Sequence, residues 1–338
     1  MKALIVGVTG QDGSLLAKHL LDEGYEVHGT FRRGSSDNFW RLRDLGVRNQ
    51  VHYHNYNIGN ELAFAEVLRQ EKPDEIYSLA GESFTALSFE EPKHFMNINI
   101  DAVIEQLESI RVNAPDAKVF FASSSEIFGA SAQEISLNEE STKVPMTPYG
   151  VSKLTQNQLV RIYRDRYKLR LFSGILFPHE SPFRSPEFVT RKICRGLVRN
   201  IKESVQPIQM GDLSMKRDWG SARDFVKLFN LLLLKGVPGD YVFGTGKNTS
   251  VEEFLISAAN ELGVELIRTE LPNSNQLEFR ESKSGEVWVQ SDPSRFSANR
   301  FSYGPADSSK LKREIGEIKI SQVTEVIQDL VNYEMSKV

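Results

Sequence analysis

The feature that most constrains the fold is a glycine-rich loop between a buried strand and a helix at the start of the chain. The apolar run Ala3–Val8 predicts a strand, and Gly13–Glu23 follows with helical spacing. Gly7, Gly10 and Gly13 form a GxxGxxG pattern rather than GxGxxG. Glycines in this position let a pyrophosphate approach the backbone, and the helix N-terminus offers it amide donors. The alternative is a tight turn that needs only flexible residues.

Strands and helices alternate through the first half of the sequence. Apolar runs predict further strands at Glu26–Phe31, Val51–Asn57, Glu75–Leu79, Lys118–Ser123 and Leu169–Leu176, and helical spacing predicts helices near 60–71, 93–112 and 148–167. Strands and helices that alternate in this regular way are typical of crossover connections between parallel strands. The predicted fold class is therefore α/β, with a doubly wound parallel sheet.

The second half is less regular and predicts a smaller, discontinuous cap. Four prolines, at 178, 182, 186 and 207, are expected to break segment 178–215 into short pieces. Helices are predicted at 251–262, 308–315 and 321–335, while 270–286 is polar and indicates a loop. We expect a nucleotide-binding domain of residues 1–177 plus about 216–250 and 288–304. The substrate-binding cap is expected to comprise about 178–215, 251–287 and 305–338, over the carboxyl ends of the strands.

The composition excludes several classes of protein. The 338 residues carry a formal net charge of −4, which argues against binding to a nucleic-acid backbone. The single Cys194 excludes an internal disulfide and a Cys-rich metal site. No apolar run approaches the ~20 residues of a membrane span, and the first one leads into glycines, unlike a signal peptide. His52 and His54 share a strand face, but no further ligand is evident nearby, so no metal site is expected. We expect a cytoplasmic enzyme with no nucleic-acid or membrane partner.

A group of polar residues carries the chemistry. Ser124 and Glu126 stand at the end of the fifth predicted strand, and Tyr149 and Lys153 are four residues apart on one helix face. A lysine beside a phenol stabilises the phenolate, so we expect Lys153 to lower the pKa of Tyr149 and make it a base near neutral pH. The Ser124 hydroxyl can hydrogen-bond the same substrate oxygen. Together with the glycine loop, this pattern indicates a catalytic site.

Arginines follow the second predicted strand, in Thr30-Phe31-Arg32-Arg33. A NAD site carries an acidic residue there for the ribose hydroxyls, whereas a guanidinium suits a 2′-phosphate. The sequence therefore predicts NADP over NAD. The alternative is that both arginines are solvated.

The chain resembles the extended short-chain dehydrogenase/reductases, and within them the GDP-mannose 4,6-dehydratases, over nearly its whole length. The motifs that carry the resemblance are GVTGQDG (Gly7–Gly13), EVHGTFRR (Glu26–Arg33), SSSEIFG (Ser123–Gly129), Tyr149–Lys153, HESP (His179–Pro182), FVTRKI (Phe188–Ile193) and KRDWG (Lys216–Gly220). The last three lie outside the cofactor fold and favour this subgroup. The resemblance implies a Rossmann-type domain.

It also implies an intramolecular oxidation, elimination and reduction of a GDP-sugar. Tyr149, supported by Lys153, would take the proton from the sugar C4 hydroxyl while hydride passes from C4 to NADP⁺. Glu126 would then remove the C5 proton and help to expel the C6 hydroxyl as water, and the reduced cofactor would return hydride to C6. The family's long loop, Arg32–Arg43 here, implies a homodimer or homotetramer.

The resemblance further implies two sets of binding residues. For the cofactor they are Gly7, Thr9, Gly10, Gln11, Asp12, Gly13, Arg32, Asn57, Ile58, Leu79, Ala80, Tyr149, Lys153, His179 and Arg184. For the substrate they are Ser83, Ser124, Glu126, Tyr149, Glu180, Arg184, Val189, Lys192 and Arg217, with Arg191 a further candidate for phosphate or base contacts.

Several positions depart from the family pattern. Ser124 replaces Thr, Asn57 replaces Asp, Glu82 replaces Gln, Pro178 replaces Asn, and Ser297-Ala298-Asn299-Arg300 replaces Arg-Pro-x-Glu, where Arg295 or Arg300 could supply the missing charge. These changes leave open a different nucleotide or a modified sugar. The sequence is also compatible with an epimerase on the same scaffold and with a non-catalytic NADP-binding protein.

Overall fold

Seven parallel strands form the central sheet of the computed structural model, which describes residues 1–34, 37–129, 136–272, 274–294 and 304–337. The strands are β1 (Lys2–Val6), β2 (Glu26–Phe31), β3 (His52–Asn55), β4 (Glu75–Ser78), β5 (Lys118–Ser124), β6 (Arg170–Leu176) and β7 (Asp240–Phe243). Their order across the sheet is β3-β2-β1-β4-β5-β6-β7. The order reverses between β1 and β4, which places a crevice at their carboxyl ends. The predicted doubly wound α/β fold is confirmed.

The described residues form twelve α-helices, some of which cover the two faces of this sheet while others form a second layer. They are α1 (Gln11–Asp22), α2 (Trp40–Asp44), α3 (Glu61–Glu71), α4 (Leu87–Glu90), α5 (Pro92–Met96), α6 (Ala102–Asn113), α7 (Pro148–Tyr167), α8 (Val189–Lys202), α9 (Ala222–Lys235), α10 (Val251–Glu261), α11 (Ser309–Ile315) and α12 (Val323–Ser336). Apolar side chains of α1, α9 and α11 pack on one face, and those of α3, α6 and α7 on the other. Within the described ranges, no helix has the length and apolar content needed to cross a bilayer.

The glycine-rich loop ends β1 two residues earlier than predicted. Gly7 has a φ of +91°, a conformation that L side chains rarely adopt. A Cβ on Gly13 would lie 2.2 Å from the Gly7 carbonyl oxygen, so α1 packs against the loop backbone only because residue 13 has no side chain. The absence of side chains at Gly7 and Gly13 therefore leaves the loop backbone open to close contact.

A second layer holds helices α8, α10 and α12 around its own apolar core. Its sheet contains Leu266–Glu270, Leu277–Glu281, Val287–Ser291 and Ile208–Met210, in the order 266–270, 277–281, 287–291, 208–210. The predicted loop at 270–286 is thus wrong, because the Leu277–Glu281 strand is mostly polar and Phe279 alone is wholly buried in the core. Segment 178–215 is also less broken than predicted: α8 fits between Pro186 and Pro207.

The division of the chain into two domains stays a prediction. Two segments pack in the core of the other domain from the one to which the prediction assigned them. Residues 288–291 were expected in the nucleotide domain, but Val287–Ser291 belongs to the small sheet. Leu311 and Ile315 of α11 were expected in the cap, but they join the core beside α9. Short amphipathic segments bury one face equally well in either core, so their pattern does not specify which core they join.

Candidate active site

A cleft of about 520 Å³ opens where the carboxyl ends of β1, β4, β5 and β6 face the segments that lead into the cap. Many predicted site residues line it: Gly7, Gly10, Gln11, Asp12, Gly13, Leu79, Ser83, Ser124, Glu126, Tyr149, Lys153, His179, Glu180, Arg184, Val189 and Arg217. The structure therefore brings together the glycine loop, the four residues predicted to be catalytic and most of the predicted substrate contacts.

Other predicted residues lie outside the lining of this cleft: Thr9, Arg32, Asn57, Ile58, Ala80, Arg191 and Lys192. Arg32 and Asn57 are exposed where β2 and β3 end. Ala80 packs directly against the glycine-rich loop, since a Cβ on Gly7 would lie 2.9 Å from the Cβ of Ala80. Lys192 is half-buried, which lowers the pKa of its amine. The residues at 295 and 297–300 lie outside the described ranges.

Arg191, a candidate for phosphate or base contacts, lies outside the cleft lining and contacts the cap instead. Its side chain is buried in the cap, where the guanidinium forms an ion pair with Glu334 and donates a hydrogen bond to the Pro182 carbonyl. The Arg191 guanidinium carbon also lies 5.4 Å from the ring centroid of Tyr333. These contacts make Arg191 a link between α8 and α12.

The ends of two elements position the reactive side chains. Ser124 is the last residue of β5, and its hydroxyl accepts a hydrogen bond from the Glu126 amide at 3.2 Å, which caps the short turn Ser125–Ile127. Tyr149 lies in the first turn of α7, which begins at Pro148 and is capped by the Thr147 hydroxyl, an acceptor for the Gly150 amide at 2.9 Å. Local capping thus orients the phenol and the carboxylate.

Burial dominates the electrostatics of this group. Burial, helped by the charge of Glu126 and opposed by a hydrogen bond with Ser124, raises the pKa of Tyr149 to about 12. Burial also lowers the pKa of Lys153 to about 8. The Lys153 amine donates to the Ala122 carbonyl at 2.9 Å and to Oε1 of Gln156 at 3.0 Å. The predicted lowering of the Tyr149 pKa by Lys153 is therefore wrong for the protein by itself, since the amine is engaged elsewhere.

Arg41 and Asn99 are among the residues in or beside the cleft that the predicted site did not include. Arg41 lines the cleft, and it donates to the Phe183 carbonyl at 2.7 Å and to the Thr9 carbonyl at 3.1 Å. Burial lowers the pKa of Arg41 to about 10. Its place in the arginine-rich loop after β2 was a usable signal.

Asn99 had no such signal. It lies in a π-helical turn, Asn97–Asp101, inserted between α5 and α6. Its amide donates to the Ser152 hydroxyl at 3.1 Å and to the Glu82 carbonyl at 3.3 Å, and its buried Oδ1 has no hydrogen-bond partner among the described residues. Single π-turns often mark functional sites, but no regular sequence spacing announces them.

A buried pair ties the glycine loop to the start of the cap. Asp12 Oδ2 lies 2.9 Å from His179 Nε2, and the other ring nitrogen of His179 contacts the Phe177 carbonyl at 2.7 Å. Burial alone would lower the pKa of His179, but the Asp12 carboxylate outweighs it and raises the pKa above 6.5. Burial would likewise raise the pKa of Asp12, but His179 holds it below 3.8. Gln11 adds a second tie, accepting from the Ser181 hydroxyl at 2.8 Å.

This pair predicts a pH-dependent stability. Protonated His179 adds fully to the free energy of unfolding below pH 6.5, and this stabilisation is lost as the pH rises through its raised pKa. Ionised Asp12 adds to the free energy of unfolding above pH 3.8, and this stabilisation is lost as the pH falls through its lowered pKa. We expect His179→Gln to lower the free energy of unfolding by roughly 1–3 kcal/mol at pH 6 and by less at pH 9. Urea unfolding at both pH values measures this, with the exposed His94→Gln as the control. A penalty that is equal at both values would contradict the prediction.

Comparison with known proteins agrees with this arrangement. The family profile described as GDP-mannose 4,6 dehydratase matches residues 4–330. A GDP-mannose 4,6-dehydratase of Vibrio cholerae is 37% identical over 351 residues, covering 98% of this chain and 92% of that protein. A UDP-glucose 4-epimerase structure from Thermotoga maritima superposes with a TM-score of 0.83 at 20% identity, covering 100% of this chain and 99% of the other.

A dTDP-glucose 4,6-dehydratase structure from Bacillus anthracis, in complex with NAD, superposes with a TM-score of 0.81 at 18% identity, covering 98% and 96%. At these identities the solved structures establish the fold alone. The family profile and the curated relative, which both span almost the whole sequence, confirm the resemblance seen in the motifs. The chain therefore belongs to the GDP-mannose 4,6-dehydratase family.

Proposed function

We propose that the chain is a nucleotide-sugar 4,6-dehydratase that converts a GDP-hexose to its 4-keto-6-deoxy form. The observation that carries the proposal is the presence of Glu126 in the same cleft as Ser124, Tyr149 and Lys153. An epimerase needs a base at the C4 hydroxyl, and a dehydratase needs a second base at C5 as well. Glu126 is the residue that distinguishes the two.

Each side chain has one task in this proposal. The Tyr149 oxygen takes the proton of the C4 hydroxyl, and the Ser124 hydroxyl donates a hydrogen bond to the same oxygen. The 4-keto group acidifies the C5 proton, which the Glu126 carboxylate removes. The carboxylic acid so formed delivers that proton to the departing C6 hydroxyl, which leaves as water. Glu126 therefore ends the elimination as a carboxylate again.

Arg184 supports an anionic substrate. It lines the cleft, its guanidinium carbon lies 3.7 Å from the ring centroid of Phe188, and its buried Nε has no hydrogen-bond partner among the described residues. A buried donor of this kind favours a phosphate oxygen as its acceptor. We assign Arg184 and Arg217 to the diphosphate of the nucleotide sugar.

The glycine loop fits a nicotinamide dinucleotide, since side chains at Gly7 and Gly13 would fill the space against the backbone. When bound, this cofactor supplies a reversible hydride acceptor whose oxidised ring carries a positive charge that favours the Tyr149 phenolate. The chain's own part is to hold the pyrophosphate at the N-terminus of α1 and to leave the sugar face open.

Arg32 favours NADP as the form bound. We expect Arg32→Ala to weaken NADPH binding by about tenfold, the worth of one charge-assisted contact, and to leave NADH binding unchanged. Fluorescence titration with each dinucleotide measures both affinities, and Arg33→Ala is the matched control. Equal losses for the two dinucleotides, or no loss for either, would contradict a 2′-phosphate contact.

Mass spectrometry on a panel of GDP-, UDP-, CDP- and dTDP-sugars tests the function itself. Loss of one water from a GDP-hexose, with catalytic NADP⁺, is the expected result. Loss of water only from a sugar with another nucleotide would support the dehydration reaction but contradict guanine as the nucleobase of the substrate. That outcome has a structural candidate, because Pro178 replaces the family's Asn and lines the cleft. No water loss from any sugar would contradict the dehydratase proposal. A homodimer or homotetramer and a cytoplasmic location stay predictions.

A further inference from the structure

Three histidines and two glutamates meet on one face of the neighbouring strands β2 and β3, where the last turn of α3 covers them. Glu26 and His28 come from β2, His52 and His54 from β3, and Glu71 from the last turn of α3. The expectation that no further ligand lies near His52 and His54 is therefore wrong. The missing partners come from an adjacent strand and from the helix that covers this face of the sheet.

The donor atoms of His28, His54 and Glu71 converge. His28 Nδ1 lies 2.9 Å from His54 Nε2 and 3.4 Å from Glu71 Oε2, and His54 Nε2 lies 3.7 Å from Glu71 Oε1. Donor atoms about 2.0–2.1 Å from a tetrahedral zinc ion are roughly 3.3–3.4 Å apart. The three separations bracket that value, but the two Glu71 distances are to different oxygens of its carboxylate. Binding therefore needs the ring nitrogens to move apart by a few tenths of an ångström and the carboxylate to turn one oxygen toward both rings.

The surroundings of His28 match those of a metal ligand. Its side chain is 4% exposed, and Nε2 lies 2.9 Å from Glu26 Oε1. A carboxylate only accepts, so Nε2 carries the proton, and in the neutral ring Nδ1 then presents a lone pair toward His54 and Glu71. A metal-bound histidine commonly donates its other N–H to a carboxylate in this way.

Charge and access also suit a divalent cation. The Lys2 amine lies 3.2 Å from both Glu26 and Glu71, so it balances one of the two carboxylates and leaves one negative charge. The side chains of His54 and Glu71 are 17% and 19% exposed, which leaves a path from solvent and room for a water ligand. Two imidazole nitrogens and one carboxylate oxygen are a donor set that zinc favours.

We propose that His28 Nδ1, His54 Nε2 and a Glu71 oxygen bind one zinc ion, with water in the fourth position. The ion would join the edge strand β3 to α3 and to β2. A bound ion would hold β3 in place, and β3 leads into Asn57 and Ile58, the residues predicted to contact the cofactor. Binding requires the His54 proton to move from Nε2 to Nδ1 and displaces the hydrogen bond between the two rings.

Zinc titration of the chelator-stripped, full-length chain tests the site. Calorimetry and metal analysis should give about one zinc ion per chain, and zinc should raise the Tm. His54→Gln and Glu71→Gln change partly exposed side chains, and each should weaken binding at least tenfold and abolish the Tm shift. His94→Gln, an exposed histidine on α5, and His52→Gln should bind as the unaltered chain does.

Cobalt provides a readout that does not depend on stability. Co²⁺ in the unaltered chain should show visible absorption bands typical of mixed nitrogen and oxygen donors, and His54→Gln should lose them. The proposal is overturned if the chain binds no zinc, if His54→Gln and Glu71→Gln bind it normally, or if His52→Gln weakens it equally. In the last case the ion would lie among Glu26, His28 and His52.

Discussion

Replacing Glu126 by Gln is expected to lower the rate of water elimination by about 10³-fold, in the range typical for loss of a general base. The amide keeps the size of the side chain but cannot take the C5 proton. Ser124, Tyr149 and Lys153 remain in place, so oxidation at C4 should continue. In D₂O, the unaltered chain should incorporate deuterium at C5 of the product. On addition of substrate to the variant, absorbance at 340 nm should rise while water release is about 10³-fold slower than in the unaltered chain.

The matched control is Glu82→Gln, which changes another carboxylate in the lining of the same cleft. The Glu82 side chain accepts from the Ser83 amide at 3.2 Å, and its loss should leave water elimination within about tenfold of the unaltered rate. Dehydration at a normal rate in Glu126→Gln would remove Glu126 from the mechanism. An equal fall in the rate of water elimination in both variants would indicate that the net charge of the cleft, rather than the position of Glu126, supports the reaction.

Replacing Tyr149 by Phe is expected to abolish both oxidation and elimination, lowering kcat by at least ~10³-fold while the chain still binds the dinucleotide. The ring keeps its edge contact with Phe95, at 6.2 Å between centroids, so packing is preserved. The unaltered chain should become faster as the pH rises, because burial raises the pKa of Tyr149 to about 12 and the base must lose its proton. Steady-state rates between pH 6 and 9, with a separate dinucleotide titration, measure both effects.

Tyr163→Phe is the matched control for this variant. Tyr163 lies on the same helix, α7, but its hydroxyl donates to Glu108 at 2.6 Å on the outside of the sheet. It should affect stability slightly and kcat hardly at all. Turnover by Tyr149→Phe within tenfold of the unaltered chain would show that another group takes the C4 proton.

The sequence predicts the parts of this molecule that depend on local periodicity. Continuous apolar runs indicate strands such as β1 and β5 because both faces of a parallel sheet are buried. Leu277–Glu281 escaped prediction because a small sheet with one solvated face needs only Phe279 in its core. The four residues proposed as catalytic could be singled out from the sequence because Ser124 and Glu126 follow a predicted strand and Tyr149 and Lys153 share one face of a predicted helix.

Arrangements that depend on long-range contacts were not predictable in the same way. The π-turn places the Asn99 amide against Ser152 of α7, and neither the turn nor this contact leaves a regular spacing in the sequence. The convergence of His28, His54 and Glu71 depends on the register of β2 with β3 and on where α3 ends. The hydrogen bonds of Lys153 to Ala122 and Gln156 likewise depend on distances that the sequence does not show. The predicted lowering of the Tyr149 pKa by Lys153 was wrong for that reason.

The order of the elements along the chain also bears on synthesis. The central sheet is complete once β7 has emerged from the ribosome, whereas the cap core still lacks α10 and, for longer, α12, which packs beside α8 and α10. Domains form from the N-terminus during translation, at about 5–20 residues per second. A nascent chain therefore passes through a stage of several seconds in which a dinucleotide can settle on the glycine loop while apolar faces of α8 and α10 are uncovered. We expect chaperone contacts during translation to concentrate in that interval.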